Sequence, residues 1–126
     1  MAGTRAKGAA DRAEMVQWLF ENSRDIMFVV GEKGLILLVN PAWTEVTGLA
    51  EAEVIGHHIL EFFHPEDRAG MHDRARAAKP GEMGEAEIRL QARDGSWVWF
   101  ASRRHKMPNR KTAAIGGETY ACTLCK

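Results

Sequence analysis

The sequence predicts an α+β fold: a five-stranded antiparallel sheet with short helices on one face, preceded by an amphipathic helix. Three observations carry that expectation. Two apolar runs, Ile26 to Val30 and Leu35 to Val39, flank Gly31-Glu32-Lys33-Gly34, the pattern of a β-hairpin. Asn40 then offers a side-chain cap and Pro41 suits the first position of a short helix. Further on, Glu85 to Ala92 alternates strictly between apolar and polar residues, and Asp94-Gly95 after it is a strong hairpin turn.

The remaining elements follow in order. Residues 1–10 are small, polar and rich in Gly and Ala, so a disordered start is expected. Residues 11–24 form the N-terminal helix, with Asp11 as its cap and Met15, Val16, Trp18, Leu19 and Phe20 as a wide apolar stripe. After the Pro41 helix, Glu51 to Ile55 and Ile59 to Phe63 suit two short helical turns. His64-Pro65 breaks the chain, and Pro65 opens a longer helix through Ala78 that Lys79-Pro80-Gly81 ends. The strand at Glu85 returns as Ser96 to Lys106, a basic loop runs over Pro108 to Thr112, and Ile115 to Leu124 supplies the last strand. At the start of the returning strand Trp97 and Trp99 face one side, and Val98 and Phe100 the other. A sheet apolar on both faces needs cover on both, so the N-terminal helix is expected to dimerise the chain together with the outer sheet face.

Bulk composition narrows the function. The 126 residues suit one domain, and 17 Lys and Arg balance 17 Asp and Glu. That balance argues against a nucleic-acid or membrane-surface partner. No apolar run reaches the roughly 20 residues that span a bilayer, and the N-terminus lacks a signal-peptide core. The chain reads as cytoplasmic.

Motifs for chemistry are sparse. Cys122 and Cys125 share a strand and, three residues apart, project to opposite faces, which spoils a metal or redox pair. His57, His58 and His64 lack the spacing of a metal site and read as surface or loop residues. Arg103, Arg104, Lys106, Arg110 and Lys111 lack interleaved aromatics and read as a solvated hairpin. No phosphate-binding loop or nucleophile motif occurs, so this segment is not expected to be an enzyme.

The hairpin and capped helix of Asp25 to Gly48, the block Gly56 to Arg68 and the block Ile88 to Phe100 occur in an order that resembles the PAS domain, a sensory module of signalling proteins. The resemblance covers Asp25 to Leu124 and implies the strand order 2-1-5-4-3, with residues 25–126 forming the PAS domain. It also implies a ligand cavity. Phe28, Val30, Ile36, Leu38 and Trp43 would wall it from the hairpin side, and Ile59, Phe62 and His72 from the helices. Ala86, Ile88, Leu90, Val98 and Phe100 would complete it from the later strands.

Two cofactors can be weighed within the resemblance. The run Asp67-Arg68-Ala69-Gly70-Met71-His72-Asp73 is similar to the one that supplies the haem ligand in haem-binding PAS sensors, which makes His72 an alternative haem ligand. The gas-binding arginine of that group falls at Ala86, so the expectation is a protein without haem. Where light-sensing relatives carry a cysteine that bonds flavin, this chain has Ile59, which excludes the adduct. The resemblance therefore implies a cytoplasmic sensory and dimerisation domain that relays to a C-terminal output domain such as a histidine kinase. The rival expectations are a haem-based gas sensor and an interaction domain with a filled core. The chain stops at Lys126, where such domains run on into a linker, so it is expected to be a piece of a longer protein.

Overall fold

The computed structural model describes residues 8–107 and 119–126. The basic loop and the first residues of the expected last strand lie outside the described residues, as does most of the expected disordered start. The elements run α1 (Ala9–Asn22), β1 (Ile26–Val30), a tight turn at Glu32–Gly34, β2 (Ile36–Val39), α2 (Pro41–Thr47) and α3 (Glu51–Val54). A further tight turn at Ile59–Phe62 leads to α4 (Pro65–Ala77), β3 (Met83–Gln91), β4 (Trp97–Lys106) and β5 (Tyr120–Cys125). The five strands form one antiparallel sheet in the order β2-β1-β5-β4-β3.

The hairpin turns through Gly34, whose φ of 76° suits glycine, and through Lys33 beside it, whose φ of 64° is one that side chains uncommonly adopt. Pro41 opens α2 as expected, but Asn40 does not cap it with its side chain. Asn40 is 1% exposed, and its amide is committed elsewhere. Its Oδ1 accepts from the Met27 amide at 2.9 Å, and its Nδ2 donates to the carbonyls of Phe20 at 3.1 Å and Asp25 at 2.9 Å. One side chain thereby ties the end of α1, the entry to β1 and the start of α2.

Both sheet edges are bonded to the helical crossover rather than left as open templates. On β2, the Ile36 amide donates to the His57 carbonyl, and the Ile36 carbonyl accepts from Gly56. On β3, the His64 amide donates to the Arg89 carbonyl, and the Arg89 amide donates to the Asp67 carboxylate at 2.9 Å. The Arg89 guanidinium returns to the same carboxylate through Nη2 at 2.9 Å and reaches Glu66 at 3.1 Å. It also stacks over Trp99, 4.5 Å from the ring centroid.

Several expectations need correction. The helix α1 begins at Ala9, two residues before the expected cap, and Asp11 lies inside its first turn. It packs beside α2 rather than over the outer sheet face, where Trp97 and Trp99 remain exposed. Leu38 lies outside the core, 42% exposed. The pairing slips between Val29 and Val30, so that Val29 faces Leu38 but Val30 faces Ile36. This bulge turns Leu37 and Leu38 outward together and leaves Ile36 and Val39 buried. Among the described residues no helix is long and apolar enough to cross a membrane.

Two outcomes test these contacts. Asn40→Ala would leave the Met27 amide and two carbonyls without their partner, and should lower unfolding stability in urea by about 2–4 kcal/mol. A loss below about 1 kcal/mol would show that the contacts matter little. The hydrogen bonds from Arg89 hold the Asp67 carboxyl below its ordinary 3.8. A lowered folded value means that the contribution is complete above the ordinary value and disappears as pH falls through the lowered one. Asp67→Asn should therefore lower the thermal midpoint by about 3–6 °C at neutral pH, with the gap closing in strong acid. A gap that persists there would contradict the ion-pair account.

Candidate ligand cavity

Antiparallel register carries side chains across the inner sheet face in rows. One row runs Gly84, Arg104, Cys122, Phe28, Val39; the next runs Lys106, Tyr120, Val30, Ile36. Strict alternation along β4 thus places Phe100, Ser102, Arg104 and Lys106 on the buried face, while Arg103 and His105 point to solvent. The expectation of a solvated basic hairpin fails for Arg104 and Lys106. Their parity with Phe100 is the signal for this, and the rarity of buried cations outweighs it in a reading of sequence alone.

At the other end of this face the core is solid. The Trp43 ring meets Phe28 and Phe62 edge-on, each with centroids 5.4 Å apart. Ile36, Ile88, Leu90 and Phe100 are buried around it, and Val98 packs against them. Apart from Phe28, these residues, expected in a cavity wall, fill the interior instead. Ala86 is partly buried, pairs with Ser102 and lies outside the cavity lining.

The cavity lies beyond them, under the last turns of α4, with a volume of about 410 Å³. Such a volume falls within the usual range for small-molecule sites, about 300–1,000 Å³. Of the expected residues, Phe28, Val30 and Ile59 line it, and His72 stands at its border with a side chain 54% exposed. Ile59, at the flavin-adduct position, contributes only hydrocarbon. Sequence reasoning misses His58, Leu60, Phe63, Met71, Ser102, Arg104, Tyr120 and Cys122. His58 is held with Nδ1 accepting from the Leu60 amide at 3.2 Å, which in the neutral ring puts the hydrogen on Nε2. That ring lies against Gly34, where a Cβ would come within 2.5 Å of Nε2. A side chain there would have to displace the His58 ring and would be strained at that positive φ.

The sheet side of the cavity also holds the C-terminal end of α4. Arg104 Nη2 donates to the Arg74 carbonyl at 3.3 Å, Tyr120 Oη to Ala75 at 2.8 Å and Lys106 Nζ to Ala78 at 2.8 Å. Tyr120 and Lys106 serve carbonyls at the helix end, Arg104 adds a second donor to the Arg74 carbonyl that already accepts from the Ala78 amide, and the two cations complement the negative pole of the helix. Burial pushes the Cys122 thiol up to about 12, against the opposing pull of Arg104, so it stays a neutral thiol. Cys125 lies on the opposite face of β5, and both cysteines are free.

The geometry can enclose a small molecule between a helix end and the middle of a sheet, and comparisons with known proteins agree on the architecture. The family described as the PAS fold matches residues 14–117. The White collar 1 protein of Neurospora crassa is 25% identical over 100 residues, which are 77% of this chain and 9% of that protein. The chain thus spans only a small part of the curated relatives it matches. Among solved structures, the PAS domain of an HTR-like protein from Haloarcula marismortui superposes with a TM-score of 0.78 at 22% identity, over 92% of both chains. A domain of a sensory box sensor histidine kinase/response regulator from Geobacter sulfurreducens gives 0.73 at 18% identity, over 97% of this chain and 100% of that one. This chain belongs to the PAS-fold family of sensory domains.

Proposed function

We propose that the chain senses a small molecule in the cavity under α4 and passes the change through β5 to an output domain, with a histidine kinase as the leading candidate. The observation that carries this reading is positional. Tyr120 and Cys122 line the cavity and belong to β5, the central strand, which pairs with both β1 and β4. A ligand that packs differently against two arrangements of this strand biases them; one that packs equally shifts nothing. The origin of the Geobacter sulfurreducens neighbour in a sensor histidine kinase/response regulator supports the choice of output. The reading does not use haem, because His72 stands at the border of the cavity with its side chain half exposed.

The test fills the cavity from its floor. In the protein that carries this chain together with its output domain, Cys122→Phe should leave the fold intact and shift autokinase activity by about 5- to 150-fold, the range of ordinary coupling energies. An intact fold with unchanged output would remove the cavity as the sensor and favour an interaction domain.

The dimer forms a second part of the reading, supported by α1. Its Met15, Val16, Trp18 and Leu19 are between 52% and 63% exposed, a contiguous apolar strip that water disfavours. Pairing with the same strip of a second copy would bury it. Trp18→Glu combined with Leu19→Glu should weaken self-association on the order of 100-fold in sedimentation equilibrium. Unchanged association would place the contact elsewhere.

A further inference from the structure

The cavity contains a charge that its surroundings only partly answer. Arg104 is 8% exposed, and its Nε is buried with no hydrogen-bond partner among the described residues. Its guanidinium donates from Nη2 to the Arg74 carbonyl at 3.3 Å, and the Tyr120 ring lies 5.9 Å from the guanidinium carbon. Among the described residues no carboxylate forms an ion pair with it. The helix end explains the Nη2 contact but leaves Nε unanswered. A buried guanidinium without a counter-charge is unfavourable, and removing only one member of such a pair is the expensive case.

The register makes room for this group. Gly84 is the β3 partner of Arg104, and a Cβ there would approach Nη2 to 2.6 Å. Any other residue at Gly84 would push the guanidinium aside. On the β5 side the partner is Cys122, a neutral thiol that brings no competing negative charge. Ser102, two residues back on the same face, adds a buried hydroxyl. Beside the His58 ring and Tyr120, the remaining walls are mostly apolar, chiefly Phe28, Val30, Ile59, Phe63 and Met71. At the mouth, Lys33 and Arg76 outnumber Glu32, a balance that attracts anions.

From this arrangement we infer that the ligand is a small carboxylic acid with an apolar body, its carboxylate on Arg104 and its hydrocarbon part against the Phe28 and Phe63 side. The inference rests on the sensory reading of the same cavity and adds the chemical class of what is sensed. Charge-assisted hydrogen bonds from a guanidinium recognise carboxylate geometry, and a site built around a buried charge rejects the uncharged isostere. Binding would also draw Arg104 from the Arg74 carbonyl, which couples occupancy to the seating of α4 on the sheet.

The experiment is calorimetric titration of the 126-residue chain with octanoate and phenylacetate, with octanamide and phenylacetamide, and with inorganic phosphate. The acids should bind at least about tenfold more tightly than their amides, and phosphate should neither bind comparably nor displace them. Arg104→Gln should erase the preference for acid over amide, and Arg104→Lys should keep part of it. If the glutamine variant fails to fold, the acid-to-amide ratio in the unaltered chain still decides. Equal affinity for acid and amide would overturn the carboxylate assignment and leave the sensory cavity standing. Phosphate binding as tightly as the acids would overturn the apolar body, and no binding by acid or amide would overturn both readings.

Discussion

The structure depends on the insertion of β5 between β1 and β4. Those two strands come from different halves of the sheet, and neither hydrogen-bonds the other; each pairs with β5 instead. Without it the sheet separates into the β1–β2 hairpin and the β3–β4 hairpin, and a lone two-stranded hairpin is marginal in water. With it, rows such as Arg104, Cys122, Phe28 form across strands distant in sequence, and the inner face becomes continuous. The helical crossover then wraps this face and bonds to both edges, through His57 on β2 and Asp67 on β3.

The inner face is divided in its chemistry. Around Trp43 it is a dense aromatic and aliphatic core. Toward the far end of β4 it carries Ser102, Arg104 and Lys106, and the two cations direct donors at the end of α4. Cys122 on β5 is a small residue in the cavity lining, and Gly84 on β3 leaves room for the Arg104 guanidinium. The cavity is thus a consequence of sequence along three strands and of where α4 ends. Tyr120 and Cys122 of the central strand line it, and that strand pairs with both halves of the sheet.

How much of this is legible in the sequence depends on whether the cause is local. The hairpin, the Pro41 start of α2, the alternation along β3 and the Asp94-Gly95 turn follow from turn chemistry and periodicity, which act within a few residues. Asn40 shows the limit: local preference makes it a cap, whereas tertiary partners at Met27, Phe20 and Asp25 claim its amide. Leu38 escapes a reading by strict alternation, which cannot foresee the bulge opposite it. Arg104 and Lys106 share the parity of Phe100, yet only the nearby end of α4 explains how they are buried. The seat of α1 beside α2 is out of reach, since periodicity reveals a face but not what it meets.

The central claim is that the cavity under α4 is a real internal space read by β5. Backbone amide chemical shifts of the isotope-labelled chain under xenon pressure test it most directly, because xenon enters apolar cavities without needing a charge. The account predicts the largest shifts at Tyr120, Ala121 and Cys122 in β5 and from Ser102 to Arg104 in β4. Shifts confined to α1 and α2, or none in β5, would contradict it.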